Sequence, residues 1–262
     1  MRYNGKQGAG LGNVREVKHF VSELDGFEDR YIIEHPAEQP TGPLVLYLHG
    51  GLSHAEQGFC DEYDWCSRNL RNEVMRRNGV YVSPEYRGNS WMSAAAEADV
   101  GQLIREIKAE FGLDRVVLTG GSMGATSVLI YASHRPETVD GVAALCPATD
   151  MKALWTSLAA RRQPMFDTLA GSIVEAYGGT PAEAPEEYTY RSSIEQAPGL
   201  RMPVVIRHGD ADDLLPVWHS RWLVAALRKQ DTPVRYDEIA GGGHDSPTVD
   251  TPWREYLDFV LA

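Results

Sequence analysis

The chain has 262 residues, with 25 lysines and arginines against 37 aspartates and glutamates, a formal net charge of -12. That acidity argues against a nucleic-acid partner, which would select a basic face, and suits plain solubility. No run approaches the ~18 apolar residues of a membrane span, and the N-terminus lacks the apolar core of a signal peptide. Three cysteines, Cys60, Cys66 and Cys146, are too few for a disulfide scaffold. Although Cys60 and Cys66 could bridge, reduced thiols in a cytoplasmic protein are the expectation.

In chain order, the glycine-rich first dozen residues read as a mobile lead-in. VREVKHFVSEL and RYIIEHP follow as strand candidates. PLVLYLHGG is a buried strand ending in a glycine loop, and GVYVSPEYRG is another, with a polar helix between them over residues 61–77. From Ser93 to Phe111, Val100, Leu103, Ile104, Ile107 and Phe111 share one helical face. DRVVLTGG, VDGVAALCPA, MPVVIRHGD and VRYDEIA are further strands. Helical patterns fall in ATSVLIYASHR, from about Pro216, and in TPWREYLDFVLA. Alternating strands and helices predict one α/β domain over residues 1–262, its mostly parallel sheet covered on both faces. Around residues 150–200 the alternation lapses. Two helical stretches and a Pro/Glu-rich connection there read as a cap-like insertion, and Trp155, Met165, Phe166 and Tyr177 either roof a cleft or form its own core.

The stretch LTGGSMGATSVL puts Ser122 between glycines, directly after an apolar strand and before a helix. A serine hydroxyl is a weak nucleophile that needs a base and open access. A sharp strand-to-helix turn projects it at the carboxyl end of the sheet, but crowds the positions two before and two after, where only Gly120 and Gly124 fit. The Met123 N–H opening the helix can bind an oxyanion. This is the G-x-S-x-G nucleophile elbow in its required context.

A base and its orienting acid follow such a serine in the order acid, then histidine. His244 lies in AGGGHDSP, after the last strand and before the last helix, where three glycines let an imidazole swing over the sheet edge. His49 and His208 open glycine turns at strand ends, which suits structural hydrogen bonding. The acid is Asp210, Asp212 or Asp213, all in the loop of RHGDADDLLP; Asp212 is favoured, with Asp213 suited to capping the next helix. The loop LYLHGGLSH supplies a second oxyanion donor, the Gly51 N–H first and Leu52 next. Leu52, His54, Trp91 and Met92 are the candidates for touching substrate.

Taken together, HGG (49–51), EYRG (85–88), GGSMG (120–124), HGDADDLLP (208–216) and GGGH (241–244) resemble the α/β-hydrolase superfamily, and within it prolyl-oligopeptidase-like hydrolases and related esterases. The resemblance runs from about residue 40 to the C-terminus. It implies that Asp212, the aspartate of H-G-x-x-D-x-x-x-P, is the triad acid and that Gly51 and Met123 line the oxyanion hole. The β-propeller common in the peptidases of this group has no room here, and EYRG continues as NSWMS without their glycine-rich sequence. The expected activity is therefore a serine esterase that cleaves short-acyl esters of small polar, aryl or carbohydrate alcohols, without metal or organic cofactor. A small peptidase or aminoacyl-hydrolase is the second reading, and a catalytically silent binding protein the third. The oligomeric state is left open.

Overall fold

In the computed structural model, which describes residues 12–60 and 67–262, the strands are β1 (Asn13–Val21), β2 (Glu28–Pro36), β3 (Leu44–Leu48), β4 (Val80–Pro84), β5 (Val116–Gly121), β6 (Gly141–Leu145), β7 (Val204–Gly209) and β8 (Val234–Ile239). They form one eight-stranded sheet in the order β1-β2-β4-β3-β5-β6-β7-β8. The β1–β2 and β2–β4 pairings are antiparallel, and every pairing from β4 through β8 is parallel. This is the α/β-hydrolase arrangement.

The inner strands read as unbroken apolar runs because both of their faces are covered. Leu44, Leu46, Leu48, Val116 and Leu118 point into the layer containing α2 (Ala94–Phe111), α3 (Met123–His134) and α7 (Trp218–Lys229). Their neighbours Val45, Tyr47 and Val117 point into the opposite layer, with α1 (Arg68–Arg76) and α8 (Trp253–Val260). Helix α2 starts where the Ser93 side chain accepts the Ala96 N–H and stops at Gly112, which takes the left-handed conformation. Residues 1–11 of the lead-in expected from the sequence, the first part of the helix expected over 61–77, and Cys66 lie outside the described residues.

Between β6 and β7 the insertion holds three helices, α4 (Met151–Arg161), α5 (Pro164–Tyr177) and α6 (Pro185–Tyr190). Sequence patterning suggested two. The third is six residues long and buries only Tyr188, so it carries too little periodicity to announce itself. Two sets of buried bonds fasten the insertion. The Trp91 indole donates to Ser172 Oγ at 2.8 Å, and the Tyr177 hydroxyl to the Trp91 carbonyl at 2.9 Å. Farther along, the Arg191 guanidinium reaches Glu97 of α2 at 2.6 Å and Glu187 at 2.7 Å. Phe166 and Tyr177 are core residues of this packing, whereas Met165 is exposed.

Trp91 and Met92, expected to touch substrate, are corrected by this packing. Both take positive φ (47° and 53°), which turns their side chains into the core, where they are 2% and 0% exposed. Their place is under the insertion, as its anchor.

Candidate active site

Ser122 stands between β5 and α3 with φ 56° and ψ -121°, a strained backbone for a residue with a Cβ. Its own N–H remains tied to the Leu145 carbonyl of β6 at 2.9 Å. The strain is sustained by close approach: a Cβ at Gly120 would lie 2.6 Å from the Leu48 carbonyl oxygen, and one at Gly124 would meet that same oxygen and lie 2.8 Å from the His49 carbonyl oxygen.

His244 reaches Ser122 Oγ through Nε2 at 3.0 Å and Asp212 Oδ2 through Nδ1 at 2.8 Å. Among the three acidic candidates, Asp212 is the one brought to the histidine. Its side chain is fully buried, and Oδ1 accepts the N–H groups of Leu214 (2.9 Å) and Leu215 (2.8 Å). Burial alone would raise the carboxyl, but hydrogen bonds from His208 and His244 outweigh it and hold Asp212 well below the usual carboxylate range. A carboxylate so held stays ionised and fixes the proton of His244 on Nδ1, leaving Nε2 to face the serine.

The acid and base loops are clasped together. Ala211 N–H donates to the Gly242 carbonyl at 2.9 Å, Asp210 N–H to the Ile239 carbonyl at 3.1 Å, and Gly241 N–H to Asp210 Oδ1 at 2.6 Å. Asp210 thus holds the histidine loop. Asp213 does not cap α7, whose first residue is Trp218 and whose N-terminus has no side-chain cap; its carbonyl accepts a bond from Arg161 at the end of α4.

On the other side of the serine, Gly51 lies against Met123: a Cβ on Gly51 would be 3.8 Å from the Met123 Cβ. Neither the Gly51 nor the Met123 N–H has an acceptor among the described residues, whereas the Leu52 N–H is donated to Asn89 Oδ1 at 2.7 Å. Leu52 keeps a half-exposed side chain beside this loop. Leu169 of α5 comes within 3.0 Å of the Gly51 Cβ position, so the insertion bears down on the loop that carries Gly51. His54 is tied elsewhere: its Nδ1 lies 2.5 Å from Glu85 Oε1, and no bond joins it to the three residues above.

Cys146, Asp212 and His244 also bring a sulfur, a carboxylate oxygen and a ring nitrogen within 4.8 Å of one another. The set suits a cation poorly. Burial pushes the Cys146 thiol well up, and both Asp212 oxygens already accept two hydrogen bonds each.

A family model described as the prolyl oligopeptidase family matches residues 67–260. The chain belongs to that family. The uncharacterized peptidase YtmA of Bacillus subtilis (strain 168) is 37% identical over 231 residues, 80% of this chain and 79% of that protein. Among solved structures, an S-formylglutathione hydrolase from Agrobacterium tumefaciens superposes with a TM-score of 0.71 at 17% identity, covering 98% of this chain and 97% of the other. A truncated carbohydrate esterase from gut microbiota gives 0.69 at 17% identity, with 95% of each chain covered. A puromycin-hydrolyzing peptidase of Mycobacterium tuberculosis gives 0.71 at 17% identity over 94% of this chain but 38% of its own. At such identities the structural likeness concerns the fold. Chains of this fold thus include some close to this one in length and others more than twice as long. No helix among the described residues is long and apolar enough to cross a membrane.

Proposed function

We propose that this serine hydrolase cleaves carboxylic esters by acyl transfer through Ser122, His244 and Asp212. The observation that carries the reading is the continuous line from Asp212 Oδ2 through the imidazole to Ser122 Oγ, with bonds of 2.8 and 3.0 Å. His244 Nε2 takes the hydroxyl proton as Ser122 attacks the ester carbonyl, and Asp212 stabilises the imidazolium that forms. The N–H groups of Met123 and Gly51 receive the developing oxyanion, each contributing about 3 kcal/mol to the transition state. The imidazolium returns the proton to the departing alcohol. Water, activated by the same nitrogen, then releases the acid. This step needs the imidazole of His244 in its neutral form.

A short acyl group is favoured by the close approach of Leu169, whose Cδ2 lies 3.0 Å from where a Cβ on Gly51 would stand. The family match and the relative named as a peptidase support aminoacyl amides as the second reading. Replacing Ser122 with alanine is expected to lower turnover of an aryl acetate by at least about 10⁴-fold and to abolish fluorophosphonate labelling; wild-type-like turnover in that variant would refute the assignment. Aryl esters of graded chain length, acetylated sugars and aminoacyl anilides, assayed side by side, separate the two substrate classes. Preference for long-chain esters overturns the short-acyl reading, and preference for anilides overturns the esterase.

A further inference from the structure

Asp212 is shared between two histidines. Its Oδ2 lies 2.8 Å from His244 Nδ1 and 3.2 Å from Nε2 of His208, a fully buried residue four positions earlier at the end of β7. That Nε2 of His208 carries hydrogen follows from its surroundings. Nε2 is also 2.8 Å from the Leu215 carbonyl oxygen, which can only accept, so Nε2 carries hydrogen. On the neutral ring Nδ1 is then an acceptor, and the buried Ser220 Oγ, 2.6 Å away on α7, donates to it. The result is a directed chain in which Ser220 donates to His208 and His208 to Asp212, while His244 donates to the same carboxylate oxygen from the opposite side.

We propose that His208 is a positioning residue of this hydrolase, locking the Asp212 carboxylate so that one oxygen alone serves His244. The inference rests on the triad reading given above. The His208 bond acts in two ways. It opposes rotation of the carboxylate about its terminal bond, which the two backbone N–H groups on Oδ1 restrain from one side only. It also draws electron density from Oδ2, which keeps the carboxylate a weaker partner for the imidazolium. The other titratable groups acting on this centre are Cys146, within 4.8 Å of Asp212 and His244, His219 of α7, Glu238 of β8, which interacts with His208, and Asp245, next to His244. Nδ1 of His219 is turned away, toward the Thr149 N–H at 3.1 Å.

Loss of the donor therefore has a signature that loss of packing lacks. In His208→Phe, a ring remains but the N–H is gone. The expected kcat on an aryl acetate falls about tenfold or more with KM within about twofold, and the acid limb of the pH–rate profile moves to higher pH because the freed carboxylate holds the imidazolium more tightly. His208→Gln, whose amide N–H can reach Oδ2, restores most of kcat and the native limb. Ser220→Ala keeps the ring but loses its tether, and gives a smaller loss in the same direction. All are compared with the native full chain, with folding checked by circular dichroism. If His208→Phe retains native kcat and pH profile, or if Phe and Gln variants lose activity equally without moving the limb, the inference is overturned. Should Phe fail to fold, His208→Gln with a native limb and Ser220→Ala with a raised one support it, and a native limb in Ser220→Ala with unchanged kcat overturns it. A native chain that neither turns over aryl acetate nor takes a fluorophosphonate at Ser122 would sink the triad reading and this inference together; a competent native chain with an indifferent His208→Phe sinks this inference alone.

Discussion

A methyl group on residue 124 would run into the carbonyl oxygen of Leu48 and lie 2.7 Å from its carbonyl carbon, both main-chain atoms of the neighbouring strand end. Backbone cannot step aside as a flexible side chain can. Gly124→Ala is therefore expected to cost about 1–3 kcal/mol and to lower aryl acetate turnover by more than about tenfold, since any relief moves Ser122. Gly121→Ala is the control. Its Cβ would meet nothing closer than Thr248 Cγ2 at 3.7 Å, ordinary contact, and thermal unfolding and turnover should stay near native. Equal effects in the two variants would show that crowding at the elbow is not what fixes the serine. Gly120 and Gly124 also made the turn around Ser122 legible in sequence, because close approach that excludes a Cβ leaves a pattern of residue types, whereas no such pattern separates Asp212 from Asp210 and Asp213. Trp91 and Met92 were misread for the converse reason. Their positive φ values decide which way the side chains point, and no residue type in NSWMS signals that turn.

At the scale of elements, the parallel strands announced themselves because burial on both faces leaves nothing polar to interrupt them, and α2 because one face alone is apolar. The insertion was less legible, since its stability comes from cross-links to the body that have no local pattern. The Trp91 bond to Ser172 is one of these. Trp91→Phe removes the donor while keeping most of the ring, and should cost about 1 kcal/mol. Because α5 carries Leu169 against Gly51, the expected consequence is faster amide exchange over residues 164–177 and a raised KM for aryl acetate, with fluorophosphonate labelling retained. Unchanged exchange in α5 would show that the indole bond does not hold the insertion.

For the whole molecule, buried histidines set the response to acid. His219 is almost fully buried, and its Nδ1 accepts the Thr149 N–H, a bond only the unprotonated nitrogen can make. Burial, with His208 nearby, lowers its pKa to about 3, against a slight opposing pull from Asp212. In the unfolded chain a histidine takes its proton near pH 6.5. Between those values the unfolded state binds the extra proton, so stability declines as pH falls through this window, by up to about 1.4 kcal/mol per pH unit. Glu97 adds a later decline. Burial opposes its ionisation, but His134 and Arg191 bring its pKa to about 2, so its contribution is present above about 4.5 and lost below. The unfolding temperature should begin to drop near pH 6, before carboxylates titrate. His219→Gln, which can still accept the Thr149 N–H, should flatten the decline between pH 6.5 and 4.5; parallel curves for the two proteins would assign the early decline to another group.

The proposed triad is drawn from the ends of β5, β7 and β8, and β6 runs between the first two without contributing a member to it. It is from β6 that the three-helix insertion departs. The three helices thus leave the sheet from a strand that the proposed chemistry does not use, between two strands that it does. An insertion placed there can change in length while each member of the proposed triad keeps its own loop, so selectivity could be rebuilt without disturbing the chemistry beneath it.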